Sequence, residues 1–310
     1  MHFIIGIEGT KLTANDIQRL THKSVLGCIL FKRNYESTSQ LKTLTQSIKA
    51  LREELVISVD QEGGRVQRFD HPPFHPLLSL FELEKKTDKE VIQHASLLAR
   101  ELKNHGVDFT FAPVVDLYNA KSRVINTRAF SSDPKKVVEL ATLYIQTLRQ
   151  KKMPSVLKHF PGHGSIDADS HLESAHYTIS LNALEKRDLQ PFIALINASL
   201  ADSIMVGHIT LTEIDNVIAS QSSFWLKTYL REKLHFQGII FSDDMGMFAA
   251  NKPDQSATDA IDHFFAAGGD IALLCNDFTV IDHMLAYTQP SDITTDTNFN
   301  HRWRTFIATL

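Results

Sequence analysis

Eight short apolar runs recur along the chain, each rich in β-branched, aromatic or other large apolar residues: FIIGI (3–7), GCILF (27–31), LVISV (55–59), DFTFAPV (108–114), SVLKHF (155–160), SIMVGH (203–208), GIIFS (238–242) and DIALLC (270–275). Their apolarity is continuous rather than alternating, the pattern of parallel strands buried on both faces. Between the runs, apolar residues fall at helical spacing. Asp88 is a candidate cap for a stripe of Val91, Ile92, Ala95, Leu98 and Leu102, with Gly106 placed to end that helix in the left-handed conformation. Asp133 followed by Pro134 starts another, carrying Val137, Val138, Ala141, Ile145 and Leu148. The same reading puts helices near 14–21, 38–52, 182–198, 222–234, 256–267 and 278–287.

Strand followed by helix, eight times in 310 residues, predicts an α/β fold of the TIM type: a (β/α)8 barrel occupying 1–310 as a single domain. The longest aperiodic segments, 60–87, 115–132 and 160–180, all follow strands. In this barrel the loops after strands build the active-site face.

Composition narrows the partners. With 43% hydrophobic and 22% charged residues the chain reads as a globular protein, and a net charge of −4 gives no basic surplus for a phosphate backbone, so nucleic acid is not an expected partner. The N-terminal MHFIIGIEGT lacks the apolar core of a signal peptide, and no segment approaches the roughly 20 apolar residues of a membrane span. The two cysteines, Cys28 and Cys275, sit in apolar runs and read as buried strand residues rather than a disulfide. A cytoplasmic monomer without a membrane partner is expected.

Charged residues collect at the strand ends and just behind them: Glu8, Arg33, Asp60 with Arg65 and Arg68, Asp116 with Arg128, Lys158 with His159, His208, and Asp243 with Asp244. Charges at such positions are costly unless paired or used, and ion pairing across the barrel top is the plain alternative to function. The stretch KHFPGHGSIDADSH (158–171) suggests three chemistries. His159 and His163 have the four-residue spacing of helical zinc ligands, but Pro161, Gly162 and Gly164 exclude a helix there. A metal-dependent barrel amidohydrolase would carry an H-x-H pair after the first strand, where this chain reads GIEGT, so neither metal nor cofactor is expected. GGR (63–65) and PGHG (161–164) lack the spacing of phosphate-binding loops. Carboxylate chemistry fits better. Asp243, at the end of an apolar strand, would be held rigidly as a nucleophile must be, and Asp169, two residues before His171, is placed to hold an imidazole for acid/base work. A merely solvated polar loop is the alternative for that pair.

The motifs GTKLT, ILFKRNYES, VDQEGGRVQRF, INTRAF, KHFPGHG with DSH, and FSDDM, in this order over residues 5 to 250, resemble the family 3 glycoside hydrolases, in particular the single-domain bacterial β-N-acetylglucosaminidases of peptidoglycan recycling. Beyond residue 250 the likeness fades. The resemblance implies a retaining enzyme that removes terminal β-linked N-acetylglucosamine from a small carbohydrate or muropeptide such as GlcNAc-1,6-anhydro-MurNAc peptides. It implies Asp243 as nucleophile, His171 as acid/base oriented by Asp169, and Asp60, Arg68, Arg128, Lys158 and His159 as sugar-binding residues. A phosphorylase using phosphate as acceptor and a non-catalytic muropeptide-binding barrel are the alternatives.

Overall fold

The computed structural model describes residues 1–164, 175–247, 250, 255–293 and 296–310. Eight parallel strands build the core: β1 (Phe3–Gly6), β2 (Val25–Leu30), β3 (Val56–Val59), β4 (Phe109–Thr110), β5 (Val156–Phe160), β6 (Ser203–Val206), β7 (Ile239–Asp244) and β8 (Ile271–Leu274). Their hydrogen-bonded order is β4-β3-β2-β1-β8-β7-β6-β5, so every strand lies beside its sequence neighbour and β8 beside β1. The two ends of the sheet meet where the Val156 N–H donates to the Ala112 carbonyl (2.9 Å) and the Val115 N–H to that of Lys158 (3.0 Å). The predicted α/β barrel is therefore the fold. β4 is shorter than its apolar run suggests because Pro113, with no N–H, cannot extend a ladder.

The helices that coat the barrel are α1 (Ala14–Thr21), α2 (Thr38–Leu51), α3 (Asp88–Lys103), α4 (Pro134–Gln150), α5 (Leu181–Lys186), α6 (Gln190–Asn197), α7 (Ala257–Ala266), α8 (Phe278–Tyr287) and α9 (Thr297–Ile307), with a π-helical segment at Phe224–Lys233. Three details differ from the sequence reading. The cap of α3 is Thr87, one residue before Asp88: its hydroxyl accepts from the Glu90 N–H (3.3 Å) while the Glu90 carboxylate takes the Thr87 N–H (2.9 Å). The single helix expected over 182–198 is two, because Pro191 has no N–H to continue the first and suits the first turn of the second. Helix α9 was not foreseen. Among the described residues no helix is long and apolar enough to cross a membrane, and both cysteines are buried with free thiols.

Phenylalanines fill the barrel interior. The rings of Phe109, Phe111 and Phe241 pack with centroids 5.2 to 6.2 Å apart. Phe306 of α9 reaches the same cluster, 5.2 Å edge-on to Phe109 and 5.8 Å from Phe241. Arg302 of α9 is paired to Asp270, just before β8, so the helix closes the end of the barrel where the strands begin. Truncating a buried aromatic removes its transfer energy and leaves a cavity. Phe306→Ala is therefore expected to lower unfolding stability by about 3–5 kcal/mol in a denaturant titration, with little change in turnover by the folded enzyme. An unchanged midpoint would mean that α9 does not seal the barrel.

Candidate active site

The two aspartates of β7 have different surroundings. Successive side chains of a strand point to opposite faces. Phe241 lies in the interior cluster, and although the pairing with β8 shifts register between Phe241 and Asp244, Asp243 lines the cavity at the mouth. Asp244 faces the other way. Its Oδ1 accepts the N–H groups of Gly246 (3.0 Å) and Cys275 (3.1 Å), which ties β7 to the end of β8. Burial pushes the Asp244 carboxyl up. Burial would do the same to Asp243, but His159, His208, the Asp244 N–H (2.8 Å to Oδ1) and Lys158 outweigh it and hold the carboxyl at about 2. Asp243 is thus a carboxylate at any pH near neutral.

Lys158 and His159 lie just before Phe160, the last residue of β5; the peptide between them is cis, and both side chains line the mouth. Opposite them, the chain leaving β3 runs through Asp60 into a short extended segment, Gln61–Gly63, that pairs antiparallel with Val66–Gln67. The turn between the two needs glycine: Gly63 has φ 101°, and a Cβ there would sit 2.2 Å from the Leu78 carbonyl oxygen. Asp60 and Glu62, two apart on extended chain, both grip Lys158, at 2.8 and 2.7 Å. Burial favours the neutral amine, yet Asp60 and Glu62 prevail over it and over Arg128, and the ammonium is held above its ordinary value.

The lattice continues. Arg128, on the turn Asn126–Arg128, meets Glu62 through two parallel bonds, Nε to Oε2 at 2.9 Å and Nη2 to Oε1 at 2.8 Å. Its Nη2 also lies 3.3 Å from His159 Nε2. His159 Nδ1 contacts Asp116 (2.7 Å), whose other oxygen accepts the His163 N–H at 2.7 Å. Burial drives the His163 ring down to about 4, so it is neutral near pH 7. Arg68 stands 3.6 Å from Asp60 at the rim.

Asp60, Arg68, Arg128, Lys158, His159 and Asp243 therefore line one cavity of ≈ 220 Å³, together with Arg65, Val66, Val124, His163 and Met205. Drug-sized ligand sites run from roughly 300 to 1,000 Å³, so this one suits a single sugar ring. Other strand-end charges serve the scaffold. Glu8 pairs with Arg19 at 2.8 Å on the outer side, and Arg33 donates to the Ile7 and Cys275 carbonyls, both at 3.0 Å, and to Asn276. His208 bridges Ser220 (2.8 Å) and the Asp244 carbonyl (3.0 Å) behind the nucleophile strand. Asp169 and His171 lie outside the described residues. Glu62 was not anticipated; its two-residue spacing from Asp60 after an apolar strand was the available signal. Among the described residues no group of three or more His, Cys, Asp or Glu is arranged to hold a metal ion.

Comparison with known proteins agrees with this geometry. The family model described as "Glycosyl hydrolase family 3 N terminal domain" matches residues 5–302, well past the point where the motifs fade. The chain is 42% identical over 290 residues to a β-hexosaminidase of Hydrogenovibrio crunogenus (91% of this chain, 81% of that protein) and 43% identical over 293 residues to one of Nitrosomonas eutropha (92% and 84%). It superposes on the crystal structure of NagZ from Neisseria gonorrhoeae in complex with N-trifluoroacetyl-D-glucosamine with a TM-score of 0.89 at 36% identity, covering 98% of this chain and 89% of that one. A barrel with an ionised aspartate at its mouth, walled by fixed cations and carboxylates in a cavity of one-ring size, and a family match over nearly its whole length together establish that the chain belongs to glycosyl hydrolase family 3 and is a glycoside hydrolase.

Proposed function

We propose that this enzyme is a retaining exo-β-N-acetylglucosaminidase that removes a terminal β-linked N-acetylglucosamine, with muropeptides of the GlcNAc-1,6-anhydro-MurNAc type as its natural substrates. Asp243 attacks the anomeric carbon to form a glycosyl-enzyme. His171, oriented by Asp169, first protonates the leaving oxygen and then takes a proton from the attacking water. Asp60, Arg68, Arg128, Lys158 and His159 hold the sugar.

The observation that carries this reading is the division of labour among the carboxylates. Retaining glycosidases need a carboxylate nucleophile and a separate acid. Asp243 is held ionised at about 2 and cannot serve as the acid. Asp60 and Glu62 are engaged by Lys158, Asp116 by His159 and the His163 N–H, and Asp244 by the Gly246 and Cys275 N–H groups away from the cavity wall, so none of these carboxyls at the mouth is placed to protonate a leaving group. The acid must come from elsewhere in the chain, and the D-S-H pair of the loop after β5 is the candidate. The acetamido preference draws support from the β-hexosaminidase relatives, from the N-trifluoroacetyl-D-glucosamine complex of the gonococcal protein, and from Val66, Val124 and Met205, which give a polar cavity the apolar surface that an acetyl methyl needs. Two buried cysteines with free thiols suit a reducing compartment, in keeping with a cytoplasmic location.

Three measurements test the assignment. A chromogenic aryl N-acetyl-β-glucosaminide should be cleaved on the order of 100-fold faster than the matching glucoside, with the β-anomer released first by NMR; equal rates or an inverted product would sink it. Because Asp243 ionises at about 2, kcat/KM should stay level down to about pH 4 and fall only on the alkaline side, as an imidazole with an ordinary value near 6.5 loses its proton. An acid limb centred near pH 5 would count against Asp243 being held ionised by its surroundings. His171→Ala should cost about 10²–10⁴-fold on poor leaving groups and far less on activated aryl glycosides; equal losses would remove the acid role.

A further inference from the structure

Glu62 is 1% exposed and forms no part of the cavity wall, yet both of its oxygens are taken by cations that do. Oε1 accepts from Lys158 Nζ (2.7 Å) and Arg128 Nη2 (2.8 Å), and Oε2 from Arg128 Nε (2.9 Å). An ammonium has three N–H bonds; among the described residues Asp60 takes one from Lys158 and Glu62 another, leaving one. A guanidinium has five; Glu62 takes two from Arg128, His159 Nε2 a third (3.3 Å) and the Val124 carbonyl a fourth (3.2 Å), again leaving one. Among the described residues each cation thus keeps a single unspent donor beside a cavity the size of one ring.

We propose that Glu62 is a positioning residue for glycoside hydrolysis: from behind the cavity its carboxylate aims the last N–H of Lys158 and of Arg128 at the hydroxyls of the bound sugar, and it holds both cations off the nucleophile. The second half follows from charge. With Glu62 neutral, Lys158 and Arg128 would each lose a counter-charge, and the anions left on the cavity wall are Asp60 and Asp243. A lysine drawn onto Asp243 would occupy the attacking oxygen. Lys158 faces Asp60, Glu62 and Arg128, and its raised value depends on the first two outweighing burial and the third. The inference rests on Asp243 being the nucleophile.

The test uses the aryl β-glycoside that the wild-type enzyme hydrolyses fastest. Glu62→Asp keeps the charge but shortens the reach by one methylene. Its melting temperature should stay near that of the wild type while kcat/KM falls about 100-fold, the cost of a misplacement near 1 Å. Glu62→Gln should lose more, and combined with Lys158→Met it should lose markedly less than the product of the two single losses, because the second change removes one of the charges that Glu62 serves. Activity of Glu62→Asp within about threefold of wild type, or losses that multiply within the error of such cycles, would overturn the proposal. Should Glu62→Gln not fold, the Asp variant decides alone. Asp243→Ala, assayed beside them, reports separately on the nucleophile: surviving turnover there overturns that assignment, whereas the Glu62 ratios are read against wild type.

Discussion

Lys158 is 1% exposed at the end of a barrel strand, and an ammonium in such a place costs several kcal/mol unless anions and hydrogen bonds meet it. Much of the mouth is organised by that demand. Two carboxylates from the chain leaving β3 meet the ammonium. One of them, Glu62, also grips Arg128, Arg128 reaches His159, and His159 leans on Asp116. Each member is held by its neighbour, so moving one side chain of the set breaks a bond of the next. This is how a site built partly on loops attains the rigidity that electrostatic preorganisation requires. Asp243, held ionised at about 2, is the beneficiary: its charge is sustained by surroundings that spend their own bonds on one another.

The barrel was legible because its strands are buried on both faces, which writes them as eight unbroken apolar runs, and because the intervening helices keep a clean apolar stripe. What escaped had local causes. Pro113 cut β4 short inside an apolar run, and Pro191 split a helix without disturbing the apolar spacing. Helix α9 could have been found: Asp296 caps it and Phe299, Trp303 and Phe306 recur on one side. Its motif-poor sequence hid it, since its role is to pack and not to react.

The site divides in the same way. Residues that touch the cavity stand next to strand ends, and position alone drew attention to Asp60, Lys158, His159 and Asp243. Position could not separate Asp243 from Asp244; their surroundings do, since Asp243 lines the cavity while Asp244 accepts the N–H groups of Gly246 and Cys275. Nor could it distinguish Glu8 and Arg33, which brace the scaffold, from Arg128, which arrives from a long loop. Glu62 was hidden for a different reason. It faces cations rather than solvent or ligand, and a chain of letters does not record which carboxylate is already spoken for.

The turn after β5 is welded to the segment after β4. Asp116 holds the His159 ring and backbone with one oxygen and the His163 N–H with the other, and Gly164 passes so close to Leu117 that a Cβ would lie 2.0 Å from its carbonyl oxygen. The loop that carries Asp169 and His171 thus departs from a fixed point on the barrel, one residue beyond the weld. Any exchange of the segment beyond Gly164 therefore has to keep residues 115–118 together with 158–164 as one unit.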